Sequence, residues 1–348
     1  MSCLKPLQPI EVSNIVNDMP VLYGQVMDMN LFQFKGAYTN TVAIDRTNYT
    51  PGLIPASPWC CDAKVTQGSP TRNLFPVTIP HTHIEDALWA CDLNGVRGQT
   101  TGLQVSYASV AQERAKVLMR MRMNMDITAE YRMLSALKGQ VMDADGTNVL
   151  LDIYELFGVT QQTQDIPLAT AGTDVLGAFR EAVRKSRTGA RSFIPQRWVV
   201  LAGKTFFDKL VSHDSIKALW NLCCERQATT MNDMSNFMFN LLPNVSVMEY
   251  NGTVARNPIT GADVEYLADD EAIMIPIPAP GQEMYELLAA PPMTLNYVNT
   301  QASSIYYFWE SLLCPRGETD PEGIKFMGEM NVLPIVKHPG AIIRLNLV

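Results

Sequence analysis

Residues 103–138 read LQVSYASVAQERAKVLMRMRMNMDITAEYRMLSALK, and this segment has the strongest periodic pattern in the chain, with neither glycine nor proline. Its apolar residues recur at helical spacing and form one stripe, made of Ala111, Leu118, Met121, Met125, Ala129, Met133 and Leu137. Ser109 and Gln112 have the spacing of a capping box, and Gly139 stands where a C-terminal cap belongs. The segment therefore predicts one long helix that forms the spine of a domain.

The same segment carries methionines at alternate positions, Met119, Met121, Met123 and Met125. Thioether sulfur is a soft ligand, so a metal site is one interpretation of this run. Alternate residues of a helix point in different directions, so packing in the core is the favoured interpretation.

The composition indicates a folded protein that covers much of its surface with partners. The chain has 348 residues, which suits two domains or one elaborate domain, and 47% of them are hydrophobic, which excludes a wholly disordered chain. Charged residues make up 18%. An average soluble domain has about 25%. This shortage favours a subunit whose surface lies against other subunits.

The charge balance argues against a nucleic-acid-binding protein. The formal net charge is −8 at pH 7, whereas such proteins usually present a basic surface. We therefore expect that any nucleic acid near this chain is enclosed by the protein rather than bound tightly to its surface. The long helix carries four arginines that we expect to pair with acidic loops rather than with phosphates: Arg114, Arg120, Arg122 and Arg132.

The cysteines and the termini indicate a protein made in a reducing compartment. The seven cysteines include two adjacent pairs, Cys60-Cys61 and Cys223-Cys224, and show no disulfide framework. Residues 1–10 have no apolar core long enough for a signal peptide, and no later stretch approaches a membrane helix. We therefore expect synthesis in the cytosol.

Two segments before the long helix have little core of their own. Residues 1–36 consist of short apolar pieces separated by prolines, as in an arm that needs a neighbouring surface. Residues 37–80 contain two strand-like pieces, 38–46 and 73–79, around a turn-rich middle. The second segment is either a long β excursion or a small β subdomain packed on the rest, and the pattern favours neither.

After the long helix the pattern becomes mixed. Asp145-Gly146 between apolar flanks predicts a hairpin within residues 140–155. Helices are predicted at 174–188, 205–212 and 215–227, and strands at 197–201, 245–250, 272–277 and 284–288. The apolar groups 332–336 and 341–348 predict paired C-terminal strands, of which the last is central in a sheet.

Two candidate ligand sites are incomplete. The acidic set Asp143, Asp145 and Asp152 has Val141 at the first ligand position of a calcium loop. Gly203-Lys204-Thr205 resembles the end of a phosphate loop, but Trp198 stands where the first glycine is required. These patterns predict neither a calcium site nor a nucleotide site.

The sequence evidence for a histidine or cysteine site is equally weak. His81 and His83 would share one face of an extended segment, but two ligands do not make a stable zinc site. Cys60 or Cys91 could be a nucleophile with His81 as the base, although no nucleophile motif is present. The sequence therefore predicts no catalytic, cofactor-binding or metal-binding residues and no enzyme activity.

The order of these segments resembles the major capsid proteins of tailed bacteriophages, specifically the lambda-type capsid protein E family. The resemblance rests on VTIPHTHIEDALWACDLNGVRG at 77–98, LSALKGQVMDADGTNVLLDIYELFG at 134–158, and the regions 197–216 and 307–348. It implies the α+β Hong Kong 97 capsid fold. The implied parts are an N-terminal arm (1–36), an extended loop with its return (37–100), a peripheral domain with spine helix and hairpin (101–165), an axial α/β domain (166–320) and C-terminal strands that return to the peripheral domain (321–348).

The resemblance also implies the function. The expected protein is a major capsid protein that assembles as hexamers and pentamers into an icosahedral shell around packaged double-stranded DNA, which it does not read by sequence. A scaffolding protein and a portal are the expected partners, with a decoration protein as a further candidate, and no membrane is involved. The alternatives are a cytosolic cysteine or metal-dependent hydrolase, or another phage structural protein such as a tail component, in which no spine helix is expected.

Overall fold

The computed structural model describes residues 24–48, 71–91, 107–170, 172–190, 193–217, 238–250, 255–256, 261, 263–314 and 322–348. Predictions for residues 1–23, for the turn-rich middle at 49–70, for the helix beyond residue 217, and for Cys60, Cys61, Cys223 and Cys224 lie outside the described residues. Within the described ranges, no helix combines the length and the apolar character that a membrane span requires.

The helices are α1 Gln25–Asp28, α2 Tyr107–Lys138, α3 Ile153–Phe157, α4 Val175–Ala190 and α5 Lys204–Ser212, with short 3-10 segments at Leu295–Tyr297 and Pro339–Ala341. The strands are β1 Gln33–Gly36, β2 Thr41–Asn48, β3 Thr71–Thr78, β4 His83–Trp89, β5 Gln140–Met142, β6 Val149–Asp152, β7 Gln162–Ile166, β8 Pro195–Ala202, β9 Met238–Leu242, β10 Val245–Glu249, β11 Ala255–Arg256, β12 Asp263–Val264, β13 Glu271–Pro278, β14 Tyr285–Ala289, β15 Tyr307–Leu313, β16 Gly323–Glu329, β17 Val332–Val336 and β18 Ile343–Leu347. Both helix and strand are therefore spread along the chain, which confirms the predicted α+β class.

The chain divides into two compact units. Unit 1 comprises the described parts of Met1–Asn40, Thr78–Met133 and Leu287–Pro334. Unit 2 comprises those of Thr41–Val77, Leu134–Glu286 and Ile335–Val348. The predicted domain ranges concern roles in an assembly and stay predictions.

The predicted spine helix is α2, whose 32 residues at about 1.5 Å each make it about 48 Å long. The predicted apolar stripe is buried from Leu118 to Leu137, and only Ala111 is exposed. The helix begins at Tyr107, so Ser109 lies inside it and the predicted capping box is wrong. Met121 and Met125 are buried in the core while Met119 is exposed, which confirms packing as the role of the buried pair.

Gly139 ends α2 as predicted. Its φ is +101°, a left-handed conformation that residues with a Cβ rarely adopt. A Cβ atom there would also overlap the ring of Tyr154 in α3. The hairpin predicted after it is β5–β6, in which Gly146 has a φ of +70° and the Asp145 carboxylate accepts the amides of Thr147 and Asn148.

The main sheet of unit 2 has six strands in the order β7-β18-β13-β8-β10-β9. Helices α4 and α5 share one hydrophobic cluster with it, in which Phe179 of α4, Trp198 of β8 and Phe206 of α5 are almost fully buried. α4 packs on β7, β18 and β8, and α5 packs on β10. The two helices therefore bury their apolar residues in the same core.

The C-terminal strands are only partly as predicted. β18 is flanked by β7 and β13, which confirms that the last strand is central. β17 belongs to a different sheet, β1-β14-β17, so the predicted pairing of the two C-terminal strands with each other is wrong. The 3-10 segment Pro339–Ala341 separates them, and its Gly340 carbonyl lies so close to Gly189 that no Cβ would fit there.

Unit 1 contains an antiparallel sheet in the order β15-β16-β4. Gly328 of β16 lies opposite Phe308 of β15 and Ile84 of β4. A Cβ atom at Gly328 would lie 2.7 Å from the ring of Phe308 and 2.9 Å from the terminal carbon of Met125 on α2. The sheet and the spine helix therefore pack together at a distance that only glycine permits.

The two strand-like pieces before α2 are β2 and β3, which pair with each other. Ile44 of β2 and Val77 of β3 are buried, and the ring of Phe75 meets that of Phe157 edge-on at 5.2 Å between centroids. The described part of the excursion thus has its own contacts with unit 2.

Candidate functional site

The functional features of unit 1 are centred on the polar face of α2. Arg114 pairs with Glu310 of β15, whose carboxylate is fully buried, and Arg120 pairs with the partly exposed Asp86 of β4. Arg122 pairs with Asp126 at 3.3 Å on the same helix. Three of the four arginines therefore pair with acidic groups, as predicted, but these groups lie on strands β15 and β4 and on α2 itself rather than on loops.

Asp126 is the centre of a buried polar cluster. Its carboxylate accepts a hydrogen bond from the hydroxyl of Tyr306, and the guanidinium of Arg122 lies 4.5 Å from the centroid of that tyrosine ring. Burial raises the pKa of Asp126, although the hydrogen bond from Tyr306 and the charge of Arg122 oppose the shift. Burial also raises the pKa of Tyr306 well above its ordinary value. A carboxyl in this environment is adapted to hold α2 against the sheet strands rather than to exchange protons with solvent.

Glu130 fastens the last residues of the predicted N-terminal arm to the spine helix. Its Oε1 accepts the amide of Val26 at 2.8 Å, and its Oε2 accepts the amide of Met27 at 3.0 Å. Val26 is fully buried, and Gly24 has a φ of +126° that places it directly over the same carboxylate. The point at which residues 1–23 join unit 1 is therefore fixed.

The base of the β excursion is fixed in the same unit. The amide of Ile79 donates to the carbonyl of Asn40 at 2.8 Å, which joins the residue before β2 to the residue after β3. Ala37 donates to Ala289 at 2.7 Å and accepts from Ala302 at 2.9 Å. The excursion therefore starts and ends at a clamped pair of residues.

His81 and His83 lie on one face, as predicted, with ring centroids 6.2 Å apart. Nδ1 of His81 lies 2.9 Å from Oδ1 of Asn331, and the ring of His83 stacks on Trp309. In the described segments no group of three or more histidine, cysteine or acidic side chains could hold a metal ion. These contacts support the predicted packing role.

Cys91 and His81 do not form a nucleophile and base pair. They flank the seven-residue strand β4, and at about 3.3 Å per residue this places them more than about 20 Å apart. The phosphate-loop resemblance also fails, because the backbone of Ala268 crowds Gly203 and the amide of Phe206 donates to the carbonyl of Asp269 at 2.9 Å. The amide of Phe206 is therefore not available to donate to a phosphate.

Unit 2 contains a cavity of 420 Å³ beside the C-terminal half of α4. Its lining includes Gly158 and Gln162 from one side and Arg184, Lys185 and Thr188 from α4. Sequence reasoning missed this cavity, because only folding brings residues 158–162 next to α4.

Sequence reasoning also missed the carboxylates of α2. Arg122, Asp126 and Glu130 follow each other at four-residue spacing beside the buried methionines. Charged residues at that spacing next to an apolar stripe were the available signal. These residues were not recognised from the sequence because the same spacing of charges also occurs on the exposed face of a helix.

Comparison with known proteins identifies the family. A family model described as phage major capsid protein E matches residues 11–347. The chain belongs to this family. The major capsid protein of Salmonella phage Felix O1 is 23% identical over 361 aligned positions, which cover 96% of this chain and 94% of that protein.

Solved structures support the fold. A prophage capsid protein from E. coli CFT073 has a TM-score of 0.58 at 10% identity, covering 99% of this chain and all of that one. The capsid of cyanophage P-SCSP1u has a TM-score of 0.52 at 11% identity, covering 95% of this chain and 90% of that one. The fold is of the Hong Kong 97 type, as the sequence resemblance predicted. This member of the family is a structural subunit of the icosahedral head shell and is located in the virion.

Proposed function

We propose that this shell subunit acts without catalysis and assembles as hexamers and pentamers around packaged double-stranded DNA. The acidic net charge of −8 supports a wall that encloses DNA without reading its sequence. The chain would be made in the host cytoplasm and would need a scaffolding protein and a portal, with a decoration protein as a further candidate partner.

The domain roles are part of the same proposal. Residues 1–36 would form an arm and residues 37–100 an extended loop that reach neighbouring subunits, residues 101–165 a peripheral domain, residues 166–320 an axial domain, and residues 321–348 the returning strands. The observation that carries these roles is the double clamp in unit 1, in which Glu130 holds the amides of Val26 and Met27 and Asn40 holds Ile79. Segments that are anchored at fixed points suit directed contacts with neighbours.

Expression with a candidate scaffolding protein in a host that lacks phage DNA tests the proposal. The expected result is hollow closed particles by electron microscopy and a large assembly in size-exclusion chromatography. A small oligomer with hydrolase activity would contradict the proposal and favour an enzyme, and open tubes would favour a tail component. The Glu130→Ala variant provides a comparison in which the arm attachment is weakened.

A further inference from the structure

Unit 2 has a basic helix face that is unusual in this acidic chain. α4 carries four cations and a single carboxylate, Glu181. Arg180, Arg184 and Arg187 follow at intervals of four and three residues, so they share one face, and all three are exposed. The pair between Arg184 and Glu181, at 3.2 Å, is exposed on both sides and contributes little.

The cavity of 420 Å³ extends this face into a binding surface. Arg184, Lys185 and Thr188 line it from α4 together with Glu181, which pairs with Arg184. Lys185 is held in place by a hydrogen bond of 2.9 Å to the carbonyl of Thr163. Arg187 is likewise fixed over the ring of Trp198, 5.1 Å from its centroid. Cations that are positioned in advance lose less freedom when an anionic partner docks.

The same unit also carries an acidic segment. Residues 263–270 bear four exposed carboxylates without a basic residue, from Asp263, Glu265, Asp269 and Asp270. The segment is rigidly attached, because the carbonyl of Asp269 accepts the amide of Phe206 and that of Ala268 accepts the amide of Glu271. Nearby, burial and the charge of Asp208 raise the pKa of Glu249, while the charge of Lys204 opposes the shift. Asp208 and Glu249 therefore add negative charge, partly offset by Lys204, where α5 meets the ends of β8 and β10.

The described ion pairs do not join these two surfaces within one subunit. α4 packs on β7, β18 and β8, and α5, whose Phe206 amide bonds to the acidic segment, packs on β10. In the described ranges no ion pair involves the four carboxylates or Arg180.

We propose that the basic face of α4 and its cavity receive the acidic segment 263–270 of a second copy of this chain. A patch that meets a different patch of the next copy makes a head-to-tail contact, which closes into a ring when the rotation permits. Opposite charges at such a contact select the orientation of the partner and exclude like-charged pairings. The inference rests on the proposed function, since it names the contact that would build the hexamers and pentamers.

Charge exchange between the two surfaces tests this contact in the full-length chain with its scaffolding partner. R180E/R184E and D269K/D270K should each lower the yield of capsomers and shells by about tenfold or more, because they place like charges opposite each other. The quadruple variant that carries both pairs should restore the yield to within about threefold of the unchanged chain, because the charges are again complementary. All four side chains are exposed, so circular dichroism of the dissociated subunits should stay unchanged.

A matched control distinguishes the loss of this contact from the effect of added negative charge alone. Lys209 and Lys217 are exposed residues of the same unit, and K209E/K217E adds the same negative charge away from α4. Its yield should stay near that of the unchanged chain, and an equal loss would overturn the proposal. Normal assembly of both reversal pairs would also overturn it, as would failure of the quadruple variant to recover.

Two further outcomes are informative. Normal shells of R180E/R184E that retain less DNA would show that α4 contacts phosphates instead of a second copy, and would refute the proposal. Failure of the unchanged chain to assemble with any scaffolding protein would count against the proposed function itself. The charge-exchange result is interpreted relative to the unchanged chain, so the two failures are distinguishable.

Discussion

The Oε1 atom of Glu130 accepts a hydrogen bond of 2.8 Å from the backbone amide of Val26, 104 positions earlier in the chain. The carboxylate is buried on the spine helix, and its second oxygen takes the amide of Met27. One side chain thus satisfies two amides of the short helix α1, which has no side-chain cap of its own. The arrangement fixes the chain at the boundary of the predicted arm.

Glu130→Ala should destabilise the subunit and impair assembly. The change leaves two amides of Val26 and Met27 without their acceptor. Each buried unsatisfied group costs about 1–3 kcal/mol. Urea unfolding of the dissociated subunit measures the loss. Glu113→Ala, which removes an exposed pair with Lys116, is the control and should cost less than about 0.5 kcal/mol, and equal losses for the two variants would refute the clamp.

Gly139→Ala should destabilise the fold far more than Gly281→Ala. Both glycines have positive φ, +101° and +86°, so both alanines introduce backbone strain, about 1–2 kcal/mol by the usual scale. A Cβ at Gly139 would in addition overlap the Tyr154 ring, whereas nothing lies within 4 Å of one at Gly281. Thermal unfolding of the two variants isolates the contribution of the overlap. Equal melting temperatures would show that Tyr154 moves away without cost.

Asp126→Asn should alter the pH dependence of stability in a defined direction. Burial raises the pKa of Asp126 above 3.8, so the unfolded chain loses this proton at lower pH than the folded chain does. The contribution of the carboxyl to stability therefore declines as pH rises from 3.8 toward the folded pKa. Relative to the variant, the unchanged subunit should lose stability across that window, as measured by urea unfolding at a series of pH values.

Asp145→Asn is the control with the opposite sign. The amides of Asn148 and Thr147 lower the pKa of Asp145 below 3.8, so its contribution is present above 3.8 and is lost as pH falls through the folded pKa. The two difference curves should therefore slope in opposite directions. Parallel curves would mean that Asp126 does not titrate as a buried carboxyl.

Replacement of residues 49–70 by a tight turn between β2 and β3 should preserve the subunit fold and block shell formation. The paired strands β2 and β3 and the clamp between Asn40 and Ile79 remain in this variant. Circular dichroism should therefore match that of the unchanged chain, while electron microscopy shows no shells. Global unfolding would identify the segment as part of the core.

The spine helix shows which structural features the local sequence can predict. Its stripe from Leu118 to Leu137 and its end at Gly139 follow from spacing and from the conformational freedom of glycine, which are properties of neighbouring residues. Its start does not follow, because Ser109 has the spacing of a cap but lies inside the helix. A cap prediction fails when residues further upstream continue the helix.

Sequence by itself determined the elements and the family of this protein: the long helix, the Asp145-Gly146 hairpin, the central last strand and the resemblance to phage capsid proteins. Only the tertiary structure decided which partners these elements take. Glu130 meets Val26 across 104 positions, and β17 and β18 enter different sheets. Spacing encodes contacts between neighbours in the chain, whereas these contacts join distant residues whose distance is set by packing.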